Sequence, residues 1–524
     1  MRHEAEAGAG AGPVPVSSDS AGDTARQIRG SSLLTGGRGI SLLINFAVQV
    51  LIVRYLSQEG YGAFAYALSL VAVGESIVTL GLDRAITRFI PIYEERGQYD
   101  RLFGTLVLAV GTVVGLGVVF VLLVVGLQGW LAGSVIGDPQ LVTVLAILAV
   151  LAPIQAYDGL LIGMFAVLGN AWAVFVRKHV LGPMLKLAAV GVLIAVGSGV
   201  EFLAAGYVTA GLIGIVIYTF MLWRLLSQRG LIARLRSSGV SIPGREVFGF
   251  ALPLLSSDLV YVVMSASDVI LLEHFHDAAE VAAFRVVHPA AVLNQVVFTS
   301  FALLFTPLAA RFFARGDAHA INQLYWRTAT WMAVFSFPIF AMTFSLAGPI
   351  TVALYGEAYR DSALYLALLS LGYYFNVALG FNGLTLKVVG RLRYIVTLNI
   401  LAAVTNVGLN LILIPRYGAL GAAIGTTTTL IVHNLLKQAG LSLATGVNIF
   451  EWSVLRVYVV ISAAIAGLVI ISTLVDLSLV AQIALAGAAT LAVLLLNRDT
   501  LRVGDTFPAL LKLRFGRRIF GSNR

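Results

Sequence analysis

Two aspartates and one arginine lie inside stretches that are apolar enough to cross a membrane. Asp258 and Asp268 share one such stretch near the middle of the chain, and Arg285 follows in the next one. On a helix of about 3.6 residues per turn, Tyr261 and Ser265 fall with both aspartates in a sector of about 80°. A carboxylate in hydrocarbon costs several kcal/mol, so this polar face indicates a functional site. Pairing of the aspartates with cations on neighbouring helices, which would only fix the packing, is the alternative.

Two further charged residues interrupt apolar segments in the first half of the chain. Glu75 begins a polar stripe with a spacing of four residues, and Lys186 lies about two turns, or roughly 12 Å, inside its segment. We interpret Glu75, together with Asp258 and Asp268, as a candidate for binding a coupling ion. Lys186 is a candidate for binding substrate, and an ion pair with one of those two aspartates is the alternative.

Three asparagines lie on one face of a later segment. Asn399, Asn406 and Asn410 fall within a sector of about 40°. A row of amides suits a sugar, whose hydroxyl groups both donate and accept hydrogen bonds. We therefore name the three as candidate substrate ligands, although asparagines also hold neighbouring helices together.

The composition is that of a protein embedded in a membrane. Apolar residues form 59% of the 524 residues, charged residues form only 12%, and the mean hydropathy is +0.91. The charged fraction is about half of that in soluble proteins. We predict an all-α integral membrane protein with about fourteen membrane-crossing helices of about 20 residues each.

The sequence contains no pattern typical of an enzyme or a metal protein. There is no cysteine, the seven histidines are scattered, and no phosphate-binding loop, nucleophile elbow or dinucleotide fingerprint occurs. We predict that the protein is not an enzyme and that it uses no metal or other cofactor.

The basic residues are distributed unevenly over the connections between apolar segments. Of the 35 Lys and Arg residues, only Arg54, Arg360 and Arg416 fall on one side, and Lys186 and Arg285 lie within segments. All others fall on the side that carries both termini. The positive-inside rule makes this the cytoplasmic side, so the basic composition requires no nucleic-acid partner.

Similar motifs recur at a separation of about 220 residues. The pairs are Gly62-Ala-Phe64 with Ala282-Ala-Phe284, Pro91 with Pro307, Gly163–Gly169 with Gly383–Gly390, and Gly206 with Gly425. They predict two six-helix lobes related by a parallel pseudo-repeat, with two helices appended. The predicted units are a disordered cytosolic tail at 1–30, an N-terminal lobe at 31–230, a C-terminal lobe at 231–445, helices 13 and 14 at 446–500, and a basic cytosolic tail at 501–524.

Five stretches carry a family resemblance. They are RYLSQEGYGAFAYALSL from Arg54, GLDRAITRFIP from Gly81, FALPLLSSDLVYVVMSASDVILL from Phe250, VAAFRV from Val281 and NLILIPRYGALGAAIGT from Asn410. Residues 33–497 resemble the polysaccharide transporter, or oligosaccharide flippase, family of the multidrug/oligosaccharidyl-lipid/polysaccharide exporter superfamily. Alanine stands near Glu280 where the first copy of the repeat has glycine, so the glycine pattern of the family is only partly met there.

The resemblance implies a flippase in the cell membrane. Such a protein moves lipid-linked oligosaccharide or polysaccharide repeat units from the cytoplasmic to the outer leaflet by alternating access. Its partners would be a polyprenyl-phosphate-linked glycan, membrane lipids, and glycosyltransferases or a polymerase of the same pathway. Because family members use cationic cavity residues for the lipid-linked phosphate, Arg285, Lys186 and Arg88 are the candidates for that role.

Two other functions are open to such a sequence. A cation-coupled multidrug exporter of the same superfamily would share the architecture, but it typically has twelve helices and lacks the two appended helices and the basic tail. A membrane scaffold for glycan-assembling enzymes would leave the charges inside the apolar segments unexplained.

The charge distribution makes a prediction about topology. Tags fused to the N- and C-termini should both be found in the cytoplasm, and a reporter inserted between Glu273 and Glu280 should be found outside. Protease protection in oriented vesicles measures both positions. An even mixture of sides for any tag would contradict the topology.

Overall fold

The computed structural model describes residues 18–134 and 138–501, with side chains from residue 36 onward except at 134, 235–238, 256–261 and 303–304. The regular elements in these residues are all helices, and no strand occurs among them. The predicted all-α class is therefore confirmed. The predicted tail at 1–30 lies mostly outside the described residues, and the tail at 501–524 lies outside them except for its first residue.

The helices follow one another through short connections. In the first half of the chain they are α1 (Ser18–Tyr55), α2 (Gln58–Thr79), α3 (Leu82–Glu95), α4 (Tyr99–Gly126), α5 (Gln128–Ser134), α6 (Pro139–Ala149), α7 (Leu151–Val167), α8 (Ala171–Phe175), α9 (Gly182–Val196), α10 (Val200–Gln228) and α11 (Leu231–Ser238). In the second half they are α12 (Gly244–Phe275), α13 (Ala278–Val292), α14 (Val296–Ala314), α15 (Ala318–Phe340), α16 (Ala347–Tyr355), α17 (Ser362–Ala378), α18 (Asn382–Val388), α19 (Leu392–Thr445), α20 (Leu455–Leu474), α21 (Leu479–Leu496) and α22 (Arg498–Leu501). π-Helical turns at Val176–Leu181 and Ala341–Ser345 continue α8 into α9 and extend α15.

Twelve helical segments of the described residues are long and apolar enough to cross a membrane. One of them, α19, has 54 residues. At about 1.5 Å per residue it is far longer than a bilayer core of about 30 Å. Non-helical backbone angles at Gly418, φ 53° and ψ −132°, divide it into two arms. Each arm is itself long enough to cross, so the count of fourteen crossings stays a prediction.

His276, in the turn between α12 and α13, and Glu280, in the first turn of α13, cap the two sides of this break in α19. The Glu280 carboxylate accepts a hydrogen bond from the backbone N–H of Ala419 at 2.6 Å, and His276 Nε2 donates to the carbonyl of Ile414 at 2.7 Å. A Cβ atom on residue 418 would lie 2.5 Å from the Glu280 carboxylate. Glycine at 418 therefore supplies both the positive φ and the space for the capping group. The cap satisfies backbone groups at the break that have no partner within the helix.

The helices pack as two bundles, which we call the N-terminal bundle (α1–α10) and the C-terminal bundle (α12–α19). Within the first, α2 packs against α6 and α7, and α9 packs against α10. Within the second, α19 packs against α12 and α17, and α13 packs against α17. The bundles meet where α2 contacts both α12 and α13. The lobe boundaries drawn from the sequence stay predictions.

The contact between α2 and α13 depends on a missing side chain. A Cβ atom at Gly62 would lie 1.7 Å from the carbonyl oxygen of Ala278, so no other residue fits there. At the same end of the molecule, Arg54 donates to the carbonyl of Leu354 at 2.8 Å, and Gln58 donates to that of Ala358 at 2.6 Å. This end of the two bundles is therefore joined through backbone groups.

Two positions that the sequence pairs in the predicted repeat end their helices in the same way. Gly169 and Gly390 follow α7 and α18 with φ angles of 66° and 79°. In each case the glycine N–H donates to the carbonyl three residues earlier, and the next N–H donates to the carbonyl five residues before it. This is a helix end that favours glycine. The matching geometry supports the correspondence of these two positions.

Candidate substrate and coupling-ion site

Arg285 lies at the junction of the two bundles. Its Nη2 donates to Ser69 Oγ of α2 at 2.7 Å and to the carbonyl of Ser265 in α12 at 3.4 Å. Its Nε is buried and has no hydrogen-bond partner among the described residues. No described carboxylate oxygen lies within 4.0 Å of its guanidinium group. Among the described residues, the charge is therefore contacted by neutral oxygens only.

Asp268 is the centre of a buried polar cluster in the C-terminal bundle. One carboxylate oxygen accepts from Asn410 Nδ2, and the other accepts from Thr426 Oγ1 at 3.0 Å. Ser267 Oγ donates to Asn406 Oδ1 at 3.2 Å, and Asn410 is within 3.4 Å of the same oxygen. The cluster joins α12 to both arms of α19. Asp268 forms no ion pair with a described cation, and Asn410 Oδ1 has no hydrogen-bond partner among the described residues.

The row of asparagines on α19 is divided between two neighbours. Asn406 and Asn410 are buried against α12, whereas Asn399 Oδ1 accepts from His433 Nε2 at 3.1 Å. All three therefore have protein partners across helix contacts. This geometry favours the packing alternative for Asn406 and Asn410, and their role as sugar ligands stays a prediction.

A polar cavity lies inside the N-terminal bundle, apart from this cluster. We call it the N-terminal cavity, and its volume is about 380 Å³. It is formed by helices α1, α2, α7, α9 and α10 with the π-helical turn between α8 and α9. The polar residues in its wall are Asn45, Glu75, Gln155, Asp158, Arg177, Lys178, Lys186 and Tyr207.

Arg177 and Asp158 form an ion pair in the wall of the N-terminal cavity. Arg177 Nε lies 2.9 Å from Asp158 Oδ1, and the two side chains are only 11% and 19% exposed. A Cβ atom at Gly214 would lie 2.8 Å from Arg177 Nη2, so this glycine makes room for the guanidinium group. The π-helical turn that carries Arg177 is of a kind often found at functional sites. The pair neutralises one charge of each sign within the cavity wall.

Lys186 faces the same cavity without a close carboxylate. Its Nζ lies 5.7 Å from the centre of the Tyr207 ring, and no described carboxylate oxygen lies within 4.0 Å of it. Glu75 and Asp158 act on it electrostatically from further away. Lys186 therefore shares the N-terminal cavity with Glu75. It does not form an ion pair with Asp268, which was one of the alternatives.

Two of the remaining candidates lie elsewhere. The Arg88 guanidinium stacks on the Phe250 ring at 4.2 Å from its centre and is exposed. Phe250 is fifteen residues from Ser265 on α12, so Arg88 is roughly 22 Å from Arg285 along the helix axis. The side chains of Asp258 and Tyr261 lie outside the described residues, so the predicted face of α12 is described only for Ser265 and Asp268.

The candidates thus form two separate centres, Arg285 with Asp268 and Lys186 with Glu75. Arg285 and Asp268 interact electrostatically but do not touch. Sequence analysis missed Ser69 and Thr426, which hold these two charges. A serine or threonine in an apolar segment is common as a packing residue, so no pattern within one helix identifies either of them.

Comparison with known proteins agrees with this fold. The lipid II flippase MurJ in an inward closed conformation has a TM-score of 0.67 and 14% identity, over 90% of this chain and 100% of that one. An inward-facing multidrug resistance MATE family transporter of the MOP superfamily has a TM-score of 0.63 and 16% identity, over 78% and 96%. At these identities the similarity concerns the fold. The fold is thus that of a multi-pass helical membrane protein with two bundles.

Sequence comparisons identify the family. The model of the polysaccharide biosynthesis protein family matches residues 28–313, and that of the MatE family matches residues 253–412. The chain belongs to the polysaccharide biosynthesis protein family, which confirms the resemblance found in the sequence. Stage V sporulation protein B of Bacillus subtilis (strain 168) is 22% identical over 202 residues, which are 38% of this chain and 39% of that relative.

The Arg177–Asp158 pair leads to a prediction about stability. Asp158→Ala should lower the unfolding temperature of the detergent-solubilised protein, because an unpaired buried guanidinium costs about 3–5 kcal/mol. Replacing both partners, as Asp158→Leu with Arg177→Met, should restore most of that loss. Thermal unfolding followed by size-exclusion chromatography measures both.

The exposed pair of Glu357 and Arg360 provides a matched control. Its side chains are 65% and 67% exposed, so Glu357→Ala should have little effect on unfolding. An Asp158→Ala protein as stable as the wild type would show that the buried pair is not structural.

Proposed function

We propose that the protein is a flippase that moves a polyprenyl-linked oligosaccharide or polysaccharide repeat unit from the cytoplasmic to the outer leaflet by alternating access. The observation that carries this proposal is the Arg285 guanidinium, which lies between the two bundles and contacts only neutral groups among the described residues. Membership of the polysaccharide biosynthesis family and a fold like that of a lipid II flippase support it. Transport rather than catalysis is the activity, in line with these relatives.

Arg285 is suited to the phosphate of such a substrate. A guanidinium group is always charged, and its planar set of donors matches phosphate oxygens. Its two partners, Ser69 Oγ and the Ser265 carbonyl, do not neutralise the charge, and Nε has no described partner. A buried cation that no described carboxylate contacts is costly unless an anion binds it. The junction of α2, α12 and α13 is also where any movement between the bundles must be transmitted.

Asp268 is suited to a coupling ion. Its carboxylate accepts hydrogen bonds from Asn410 Nδ2 and Thr426 Oγ1. The carboxylate and Asn410 Oδ1, which has no hydrogen-bond partner among the described residues, are oxygen ligands of the kind that hard cations prefer. Binding of a sodium ion or a proton would remove the attraction between Asp268 and Arg285. The ion would in this way alter how strongly Arg285 holds an anionic substrate. Asp258 and Glu75 remain further candidates for coupling.

The MatE family match over residues 253–412 favours a second candidate, a cation-coupled multidrug exporter. Such an exporter would carry amphipathic drugs. A cation between the bundles opposes binding of a positively charged drug and favours an anion. The flippase therefore fits Arg285 better.

We place the protein in the cell membrane with both termini in the cytoplasm. Twelve apolar helical segments and the asymmetric distribution of Lys and Arg support this placement. The polyprenyl-linked glycan and membrane lipids are then its direct partners. Glycosyltransferases or a polymerase of the same pathway would act before and after it.

Substitution of Arg285 should reduce transport in two steps. Arg285→Lys keeps the charge but loses the planar set of N–H donors, and Arg285→Ala loses both. A hydrogen bond to a charged group contributes about 1.5–3 kcal/mol, so each step should lower substrate affinity by about 10–100-fold. Flipping of a fluorescent polyprenyl-diphosphate glycan in proteoliposomes measures the effect.

The double variant Arg285→Ala with Asp268→Ala distinguishes substrate binding from structural pairing. If Arg285 only balances the charge of Asp268, removing both charges should restore expression and transport. We expect normal expression without transport. Restored glycan export would contradict the phosphate-binding role and leave Lys186 as the better candidate.

Asp268→Asn should remove the coupling of transport to the ion gradient without removing the hydrogen bonds of the cluster. In proteoliposomes, transport by the wild type should accelerate under an imposed sodium or proton gradient, and transport by the variant should not respond to it. Glu357→Gln, at an exposed position, is the control and should respond as the wild type does. A full response by Asp268→Asn would move the coupling site to Asp258 or Glu75.

A further inference from the structure

The N-terminal cavity has an excess of positive charge. Its wall holds Arg177, Lys178 and Lys186 against Asp158 and Glu75. Because Arg177 and Asp158 are paired at 2.9 Å, two lysines and one glutamate remain. Lys186 makes no contact within 4.0 Å with a described carboxylate. The cavity therefore carries a net charge of about one positive unit when all its groups are ionised.

This charge argues against a cation and for a singly charged anion. A metal ion or a cationic drug would meet two lysines with only Glu75 to attract it. The diphosphate of the proposed substrate already has Arg285 as its partner, so the N-terminal cavity is free for another anionic group. A single carboxylate matches the excess charge and would give Lys186 an ion partner, which no described carboxylate within 4.0 Å supplies.

The other groups in the cavity suit a sugar. Asn45 and Gln155 present amides, and Gln155 makes no hydrogen bond to another described residue. The Tyr207 ring forms part of the wall beside Lys186. The Glu75 carboxylate can accept hydrogen bonds from hydroxyl groups. The volume of about 380 Å³ is at the lower end of that of small-molecule pockets, which is about 300–1,000 Å³.

We infer that the N-terminal cavity binds an acidic sugar of the transported glycan, with Lys186 as the ion partner of the sugar carboxylate. This inference rests on the proposed flippase function and specifies its substrate class as glycans that contain a uronic acid or a similar acidic residue. The lipid-linked diphosphate and the acidic sugar are then held by different bundles, the first by Arg285 and the second by Lys186. A substrate bound in this way spans the junction that moves during transport.

A pair of matched glycans tests the inference. The probes are an undecaprenyl-diphosphate disaccharide that contains glucuronate and the same compound with the carboxylate reduced to an alcohol. Their dissociation constants are measured on the full-length protein in nanodiscs by microscale thermophoresis. We expect the glucuronate form to bind about tenfold more tightly, and Lys186→Ala and Lys186→Gln to abolish this preference.

Two variants serve as controls. Lys186→Arg keeps the charge and should retain most of the preference. Lys387→Ala removes an exposed lysine of α18, outside the cavity, and should behave as the wild type. Arg285→Ala should weaken both glycans equally, because both carry the diphosphate. If a Lys186 variant fails to fold, the comparison of the two glycans on the wild type still tests whether the protein prefers the acidic glycan.

The outcomes separate the two proposals. If neither glycan binds the wild type, the proposed function fails and the inference fails with it. Equal binding of the two glycans by the wild type overturns the acidic-sugar inference and leaves the flippase function standing. A preference that persists in both Lys186→Ala and Lys186→Gln overturns the role of Lys186.

Discussion

The cost of placing a charge in a membrane governs the whole arrangement of polar residues in this protein. Each charge inside an apolar helix needs a partner, a hydrogen-bonding shell or a water-filled space. Arg177 is paired with Asp158, Asp268 is surrounded by amides and a hydroxyl group, and Arg285 donates to neutral oxygens of two helices. These three arrangements differ in the charge that remains. The ion pair of Arg177 and Asp158 is neutral, whereas Asp268 and Arg285 each keep a net charge that an ion or a substrate can complement.

Backbone groups also need partners wherever a helix is interrupted. A break in a helix leaves N–H and carbonyl groups without their intrahelical partners. In α19 they are capped by His276, in the turn between α12 and α13, and by Glu280, in the first turn of α13. That turn also begins the helix that carries Arg285. Capping of the break and placement of the guanidinium group are therefore linked through α13.

The two bundles differ in the charge of their polar centres. The C-terminal bundle holds one charge of each sign, Arg285 and Asp268, and the N-terminal cavity has more cations than carboxylates. The helix ends at Gly169 and Gly390 have the same geometry, which agrees with the predicted repeat. Two bundles with unlike interiors can hold two different parts of one substrate, or a substrate and an ion. The glycine contact at Gly62 keeps the bundles close enough for each to act on the other.

The sequence by itself determined the membrane class, the helical fold, the family and the positions at which charges interrupt apolar segments. These follow from composition, helix periodicity and motif order, which are properties of consecutive residues. Partners were decided only by the tertiary structure, because contacts across helices are not encoded in the period of any one helix. Arg285 meets Ser69, Asp268 meets Thr426, and Lys186 shares its cavity with Glu75 although the aspartates of α12 were equally plausible partners. The three asparagines are a further example, because they share one face of a helix but have different neighbours. Asn406 and Asn410 lie against α12, and Asn399 lies against His433.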